Sequence, residues 1–169
     1  HLFKYFIISN MCNNTNAEKK VLITGASGGI GRAIAIAASQ AGYEIIAHYN
    51  NGKDKVESLK TEIEQKGGKC SLLQFNIADR NDCNNKLEKW TEENGALWGI
   101  ILNAGICHDN AFPALSDDNW DSVIHTNLDG FYNVLKPLVM PLCRKKKGRI
   151  ITISSVSGVM GNRGQVNYS

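Results

Sequence analysis

The 169-residue chain carries a formal net charge of +3, and 43% of its residues are hydrophobic. That is one domain's worth of globular protein with a real core, and so small a positive excess argues no partnership with nucleic acid. The five cysteines are odd in number and never fall in a Cys-x-x-Cys pair. They argue against a disulfide framework and a metal site, and read as free thiols in a reducing cytosol, so a cytoplasmic location is expected.

The apolar opening, Leu2 to Ile8, is too short and interrupted for a membrane span and lacks a signal-cleavage pattern. Residues 1–18 read as a disordered or non-native lead with Met11 as a candidate start, and the fold is expected to begin at Lys19. Lys20 to Ile23 then reads as a buried strand, followed by the run Thr24-Gly25-Ala26-Ser27-Gly28-Gly29-Ile30-Gly31. Ile30, Ile34, Ala37, Ala38 and Ala41 recur at helical spacing, which predicts a helix over 32–40 stopped by Gly42. The glycines therefore sit at a strand-to-helix turn. There they let backbone approach a ligand closely and aim the first-turn N–H groups at an anion, of which a pyrophosphate is the natural one.

Further along, Tyr43 to His48 is a second strand and Lys53 to Lys66 a helix with Val56, Leu59 and Ile63 on one face, closed by Gly67-Gly68. Cys70 to Phe75 is a third strand, Asp82 to Glu93 a helix with Leu87 and Trp90 inward, and Leu97 to Leu102 a fourth strand. Ser116 is placed as the N-cap of a helix carrying Trp120, Val123 and Ile124, and a second amphipathic stretch runs through Phe131, Val134, Leu135 and Leu138. Arg149 to Ile153 is the fifth strand. Apolar strands alternating with helices predict a doubly wound parallel sheet of Rossmann type, three layers α/β/α, in strand order 3-2-1-4-5. His48, His108 and His125 form no ligand pattern, and structural roles are expected for them. The run Arg144-Lys145-Lys146-Lys147-Gly148-Arg149 suits a helix C-terminus and a solvated loop.

Ligands of such a sheet sit at the carboxyl ends of its strands. Those tails are the glycine loop, Asn76-Ile77-Ala78-Asp79, Asn103-Ala104-Gly105 and Ser154-Ser155. The loop spacing Thr-Gly-x-x-x-Gly-x-Gly, the Asn-Ala-Gly run, Asn127 within Thr126-Asn127-Leu128, and Ser155 followed thirteen positions on by Tyr168 together resemble the classical short-chain dehydrogenases/reductases. Within that family the stretches 148–153 and 161–168 are most similar to the 3-oxoacyl-acyl-carrier-protein reductases. Residues 19–169 are on this basis expected to form the dinucleotide-binding domain.

The resemblance implies NADP(H) as cofactor, held by Thr24, Gly25, Ser27, Gly28, Gly29, Ile30, Gly31, Asn50, Asn51, Asn76, Ile77, Asn103, Ala104 and Gly105. No carboxylate stands between His48 and Asp54 to favour NAD. Gly28 occupies a position where NADP-dependent relatives carry arginine, leaving a 2′-phosphate to Asn50, Asn51 and Lys53. The resemblance also makes Tyr168 the proton donor, Ser155 the holder of the reacting oxygen, and Asn127 the anchor of a proton-relaying water. Its tyrosine is tuned by a lysine four residues on, past Ser169. The chain is thus expected to be an incomplete member, lacking the family's last strands and inactive by itself, whose full form is a homotetramer reducing a 3-oxoacyl thioester on an acyl-carrier protein. Two alternatives stand: a family member acting on another carbonyl or alcohol, such as a sugar or steroid, and a nucleotide-binding fragment without turnover.

Overall fold

The computed structural model describes residues 19–169; the expected lead at 1–18 lies outside the described residues. Five parallel strands stand in the order β3-β2-β1-β4-β5, as the sequence predicts. They are β1 (Lys20–Ile23), β2 (Glu44–Tyr49), β3 (Cys70–Gln74), β4 (Gly99–Leu102) and β5 (Arg149–Thr152). The helices are α1 (Gly29–Gln40), α2 (Lys53–Gln65), α3 (Arg80–Asn94), α4 (Asp117–Ile124), α5 (Gly130–Lys145) and the short α6 (Ser157–Met160).

Alternation along the strands divides the core between the two faces. Val21, Ile23, Ile45 and Ala47 pack with Ile34 and Ala35 of α1 and with Val56, Leu59 and Ile63 of α2. Leu22, Ile46, Ile100 and Leu102 turn the other way, onto Leu87 of α3 and Val134 and Leu138 of α5. Both faces of the central strands are covered, which is why they read as unbroken apolar runs. β5 is the exception: it pairs only with β4, and its Ile150 is 43% exposed.

Local signals set the helix ends. Gly42 has φ +88 and donates to Ser39 O while Tyr43 N donates to Ala38 O, a paired closure of α1 that only an αL residue permits. Gly67 and Gly68 repeat that closure on Glu64 and Ile63. Asp79 accepts from the amides of Asn81 and Asp82, so α3 starts two residues ahead of the predicted Asp82. Ser116 caps α4 through Asn119 N, as expected.

Two expectations are corrected. Ile30 is 60% exposed and belongs to no core cluster, because α1 begins at Gly29 and its first turn overhangs the strand ends. Phe131 is 42% exposed, since the buried stripe of α5 runs through Gly130, Asn133, Val134, Leu138 and Leu142. The two amphipathic stretches are one continuous rod: α4 passes into α5 through a π-helical turn, His125–Asp129, that holds Asn127.

His48 is a structural histidine, as predicted, but of a particular kind. Its ring is 1% exposed and packs on Phe75 at 4.0 Å between centroids. Gly25 N donates to Nδ1 at 3.1 Å, so Nδ1 carries no proton, and Nε2 donates to Phe75 O at 2.9 Å. Burial pushes the pKa down to about 4, against the upward pull of the Phe75 carbonyl and of Asp82. The unfolded chain therefore binds a proton near pH 6.5 that the folded chain refuses until about pH 4, so stability falls as pH falls through that window. His48→Asn, which keeps an acceptor for Gly25 N, should lack this component of about 3 kcal/mol at most. Urea denaturation of both proteins at pH 7 and pH 4.5 checks it; equal pH dependence in the two would refute it.

Candidate active site

The turn after β1 is held by side chains from both neighbouring strands. Thr24, 2% exposed, accepts at Oγ1 from the amides of Asn103 at 2.9 Å and Ala104 at 3.0 Å, and its own hydroxyl proton points to Ile101 O. Asn103 Nδ2 returns the contact by donating to Thr24 O at 3.0 Å and Gly25 O at 3.4 Å. The tails of β1 and β4 are thereby stitched together beyond the last ladder bonds, where their polar groups would otherwise go unpaired in a buried place.

Glycine is required at two points of the turn. Gly25 has φ +67, and a Cβ there would meet Ala104 Cα at 2.9 Å. A Cβ on Gly31 would lie 2.3 Å from Gly25 O and 2.7 Å from Asn103 Nδ2. Outside the turn the space is open: a Cβ on Gly29 would meet nothing within 4 Å. Gly28, the N-cap of α1, offers no side-chain cap, so the first-turn amides of Gly29, Ile30 and Gly31 lack intrahelical acceptors. This is a cradle for an anion built from backbone, and it fits the pyrophosphate of a dinucleotide.

Beside it runs an open groove of about 1020 Å³ across the carboxyl ends of the strands. Its walls include Gly25, Ser27, Gly28, Gly29, Ile30, Gly31, Asn50, Asn51, Asn76, Ile77, Asn103, Ala104 and Gly105. Of the fourteen residues expected to hold a cofactor, only Thr24 is not in that wall; it lies beneath, lining a small cavity with Ala104, Asn127 and Thr152. At the tail of β2, Asn50 and Asn51 are exposed and Lys53 turns toward Glu57 at 3.6 Å. Among the described residues the groove's one carboxylate, Asp79, caps α3.

The candidate catalytic residues are less closely gathered. Asn127 clamps the chain just past Asn103-Ala104-Gly105: Ile106 N donates to its Oδ1 and its Nδ2 donates to Ile106 O, both at 2.9 Å. Ser155 Oγ accepts from Ser157 N at 3.2 Å. Tyr168 donates its amide to Asn167 Oδ1, and Asn167, 6% exposed, is tied by its Nδ2 to His108 O and Asn119 O. Among the described residues no hydrogen bond joins Ser155, Tyr168 and Asn127, and neither Ser155 nor Tyr168 lines the groove.

Several groove residues lie outside the set expected from the sequence, among them His48 and Arg80. His48 reaches the wall from a strand interior. Arg80 enters from the first turn of α3, with its Nε on Asn133 Oδ1 at 3.1 Å.

Comparison with known proteins agrees with this geometry. The short chain dehydrogenase family model matches residues 19–169. The 3-oxoacyl-acyl-carrier-protein reductase of Aggregatibacter actinomycetemcomitans is 50% identical over 153 residues, covering 90% of this chain and 63% of that protein. The enzymes of the same description from Staphylococcus aureus strain Mu50 and Thermotoga maritima are 38% and 36% identical over 89% of the chain, each covered to 61%. The chain thus spans about three fifths of the length of the curated relatives it matches. With the glycine turn, the Asn103 stitch and the sheet order all lying inside the matched span, the chain belongs to the short chain dehydrogenase family.

Proposed function

We propose that the protein containing this chain reduces a 3-oxoacyl thioester, carried on an acyl-carrier protein, to the 3-hydroxyacyl form with NADPH. The observation that carries this reading is the groove, whose wall gathers thirteen of the fourteen expected cofactor residues around an anion cradle. The similarity to relatives described as 3-oxoacyl-acyl-carrier-protein reductases supports the substrate class. When bound, the nicotinamide supplies a hydride. The chain's own task is then to meet the negative charge that grows on the carbonyl oxygen.

Ser155 would hold that oxygen and Tyr168 would donate a proton to it. A tyrosine with its ordinary pKa near 10 transfers a proton sluggishly at neutral pH, so a cation beside it is needed. The family pattern puts that lysine four positions past Tyr168, so turnover is assigned to a protein extended through it and not to residues 1–169 alone. Following NADPH oxidation with an acetoacetyl thioester in both forms tests this. Turnover is expected in the extended form only; comparable specific activity in both would overturn the roles given to the lysine and to Tyr168.

The cofactor preference follows from charge. The tail of β2 presents two asparagine amides and no carboxylate, and Asp79 is engaged at its helix. NADPH should therefore bind at least about tenfold more tightly than NADH, roughly 1.4 kcal/mol. Asn50→Asp should reverse the preference by repelling the 2′-phosphate. Fluorescence titration with both nucleotides decides it, and equal affinities in the unmodified protein would defeat the NADP assignment.

The basic run divides into two kinds of residue. Lys145 donates to Ala96 O, tying the end of α5 to the loop before β4, and Arg149 donates to Gly148 O beside it. Arg144, Lys146 and Lys147 are exposed, and Lys146 takes a left-handed conformation with φ 51 at the end of α5. An acidic carrier protein is the partner such a knob would attract. In the extended enzyme Lys146→Glu should raise KM for a carrier-bound substrate about fivefold or more and leave a small thioester analogue unaffected. Equal losses on both substrates would return the run to its role as a helix terminus.

A further inference from the structure

Asn133 is the one side chain of α5 that is polar, buried to 2% exposure and directed at the groove wall. Its Nδ2 donates to Ile77 O at 3.0 Å and its Oδ1 accepts from Arg80 Nε at 3.1 Å. Ile77 and Arg80 both line the groove, on the side formed by the tail of β3. The Arg80 guanidinium is further held over the Tyr132 ring, 5.3 Å from its centroid. Gly130, one turn earlier on α5, brings the helix so close that a Cβ there would meet Ile77 Cδ1 at 3.0 Å.

A core position needs no amide to pack two helices; an apolar residue would serve, without the cost of desolvating four hydrogen-bonding sites. The amide here spends both ends on groove residues that local structure alone does not fix. Ile77 lies in the turn between β3 and α3, outside any ladder, and Arg80 is an exposed side chain of high rotamer entropy. With Nε bound and one face on Tyr132, the guanidinium is held as a flat cationic plate in the same groove lining as Asn76 and Ile77. Such a plate suits stacking or edge contact with a purine base.

We propose that Asn133 is a positioning residue for the base-binding end of the groove, acting through Ile77 and Arg80, and that Arg80 itself contacts the adenine of the cofactor. The inference rests on the dinucleotide reading of the groove. It also assigns α5 a double duty. The same rod that holds Ile106 through Asn127 at one wall holds Ile77 through Asn133 at the other, six residues further along. The groove's width between the tails of β3 and β4 is then set by one helix.

The test is titration of NADPH, and of 2′-phospho-ADP-ribose as a probe lacking the nicotinamide, into the unmodified chain and into Arg80→Gln, Asn133→Leu, their double variant and Leu138→Ala. Leu138 is equally buried on α5 but lines no part of the groove, so it reports on destabilisation alone. Asn133→Leu should raise Kd for both ligands about tenfold and Arg80→Gln about threefold, with the double variant weaker than Asn133→Leu by less than that threefold, since part of the Asn133 effect runs through Arg80. Leu138→Ala should lower Tm with Kd little changed. An unaltered Kd in Arg80→Gln, or a loss in Leu138→Ala matching that in Asn133→Leu, overturns the proposal and leaves the dinucleotide reading standing. Failure of the unmodified chain to bind either ligand overturns both. Should Asn133→Leu not fold, Arg80→Gln still decides, because an exposed side chain can be changed without loss of the fold.

Discussion

The pairing of Thr24 with Asn103 is the contact on which the rest of the site depends. Parallel strands end with backbone groups that no ladder partner reaches, and here the two central strands end side by side. Thr24 Oγ1 takes the amides of Asn103 and Ala104, while Asn103 Nδ2 takes the carbonyls of Thr24 and Gly25. His48 takes the remaining amide of Gly25 from the opposite side. Ala26 N donates to His48 O as well, so β2 and β4 between them hold the inner side of the turn, and the first-turn amides of α1 are left without intrahelical acceptors. The cradle is therefore a remainder: the N–H groups available to a ligand are those the fold did not need. This also explains why Gly31 tolerates no side chain, since Gly25 O and Asn103 Nδ2 already occupy the place of its Cβ.

What the sequence made legible was whatever depends on near neighbours. The Gly42 and Gly67 closures, the Ser116 cap, the apolar strands and the α2 stripe through Val56, Leu59 and Ile63 are all encoded within about one helical turn, and strand order followed from the glycine turn and the right-handed crossovers they imply. The misjudged positions depend on tertiary placement. Ile30 matches the helical period of Ile34, yet α1 reaches past the edge of the sheet at that end and leaves it over the groove. Phe131 fits the helical period of Val134, Leu135 and Leu138, but the buried stripe of α5 is centred on Gly130, Asn133, Val134, Leu138 and Leu142 and leaves Phe131 at its margin.

Polar residues with distant partners were the hardest to read. Asn133 meets Ile77 and Arg80 across more than fifty positions of chain, and His48 joins residues on either side of its own strand. In the sequence each is a lone polar residue in an apolar segment, and the rule that such residues are satisfied in the core was correct for both. The rule does not say by whom. Once the partners are known to be groove residues, satisfaction of a core group and placement of a binding wall become the same set of hydrogen bonds.

The segment carrying Ser155 and Tyr168 is built on a different footing from the cradle. It is fastened to the loop beyond β4 by Asn110 N to Gly164 O, by Gln165 Nε2 to Asp109 Oδ2 and the Cys107 sulfur, and by Asn167 to His108 O. The Cys107 thiol completes that knot on Asp109 Oδ1, and the carboxylate at the other end holds the thiol above its usual pKa. Residues 105–114 of the loop are exposed, and none belongs to a core cluster. Its position is maintained by hydrogen bonds each worth about 1 kcal/mol net, where the cradle has two packed sheet faces beneath it. Elements held in this way open at lower free energy than those anchored by apolar burial. Its inner end is nonetheless fixed, because Asn127 grips Ile106 from the rigid rod of α4 and α5. The segment carrying Tyr168 therefore hangs from a loop with one end gripped by the α4–α5 rod and the other held by the exposed hydrogen bonds around Asp109 and Gln165.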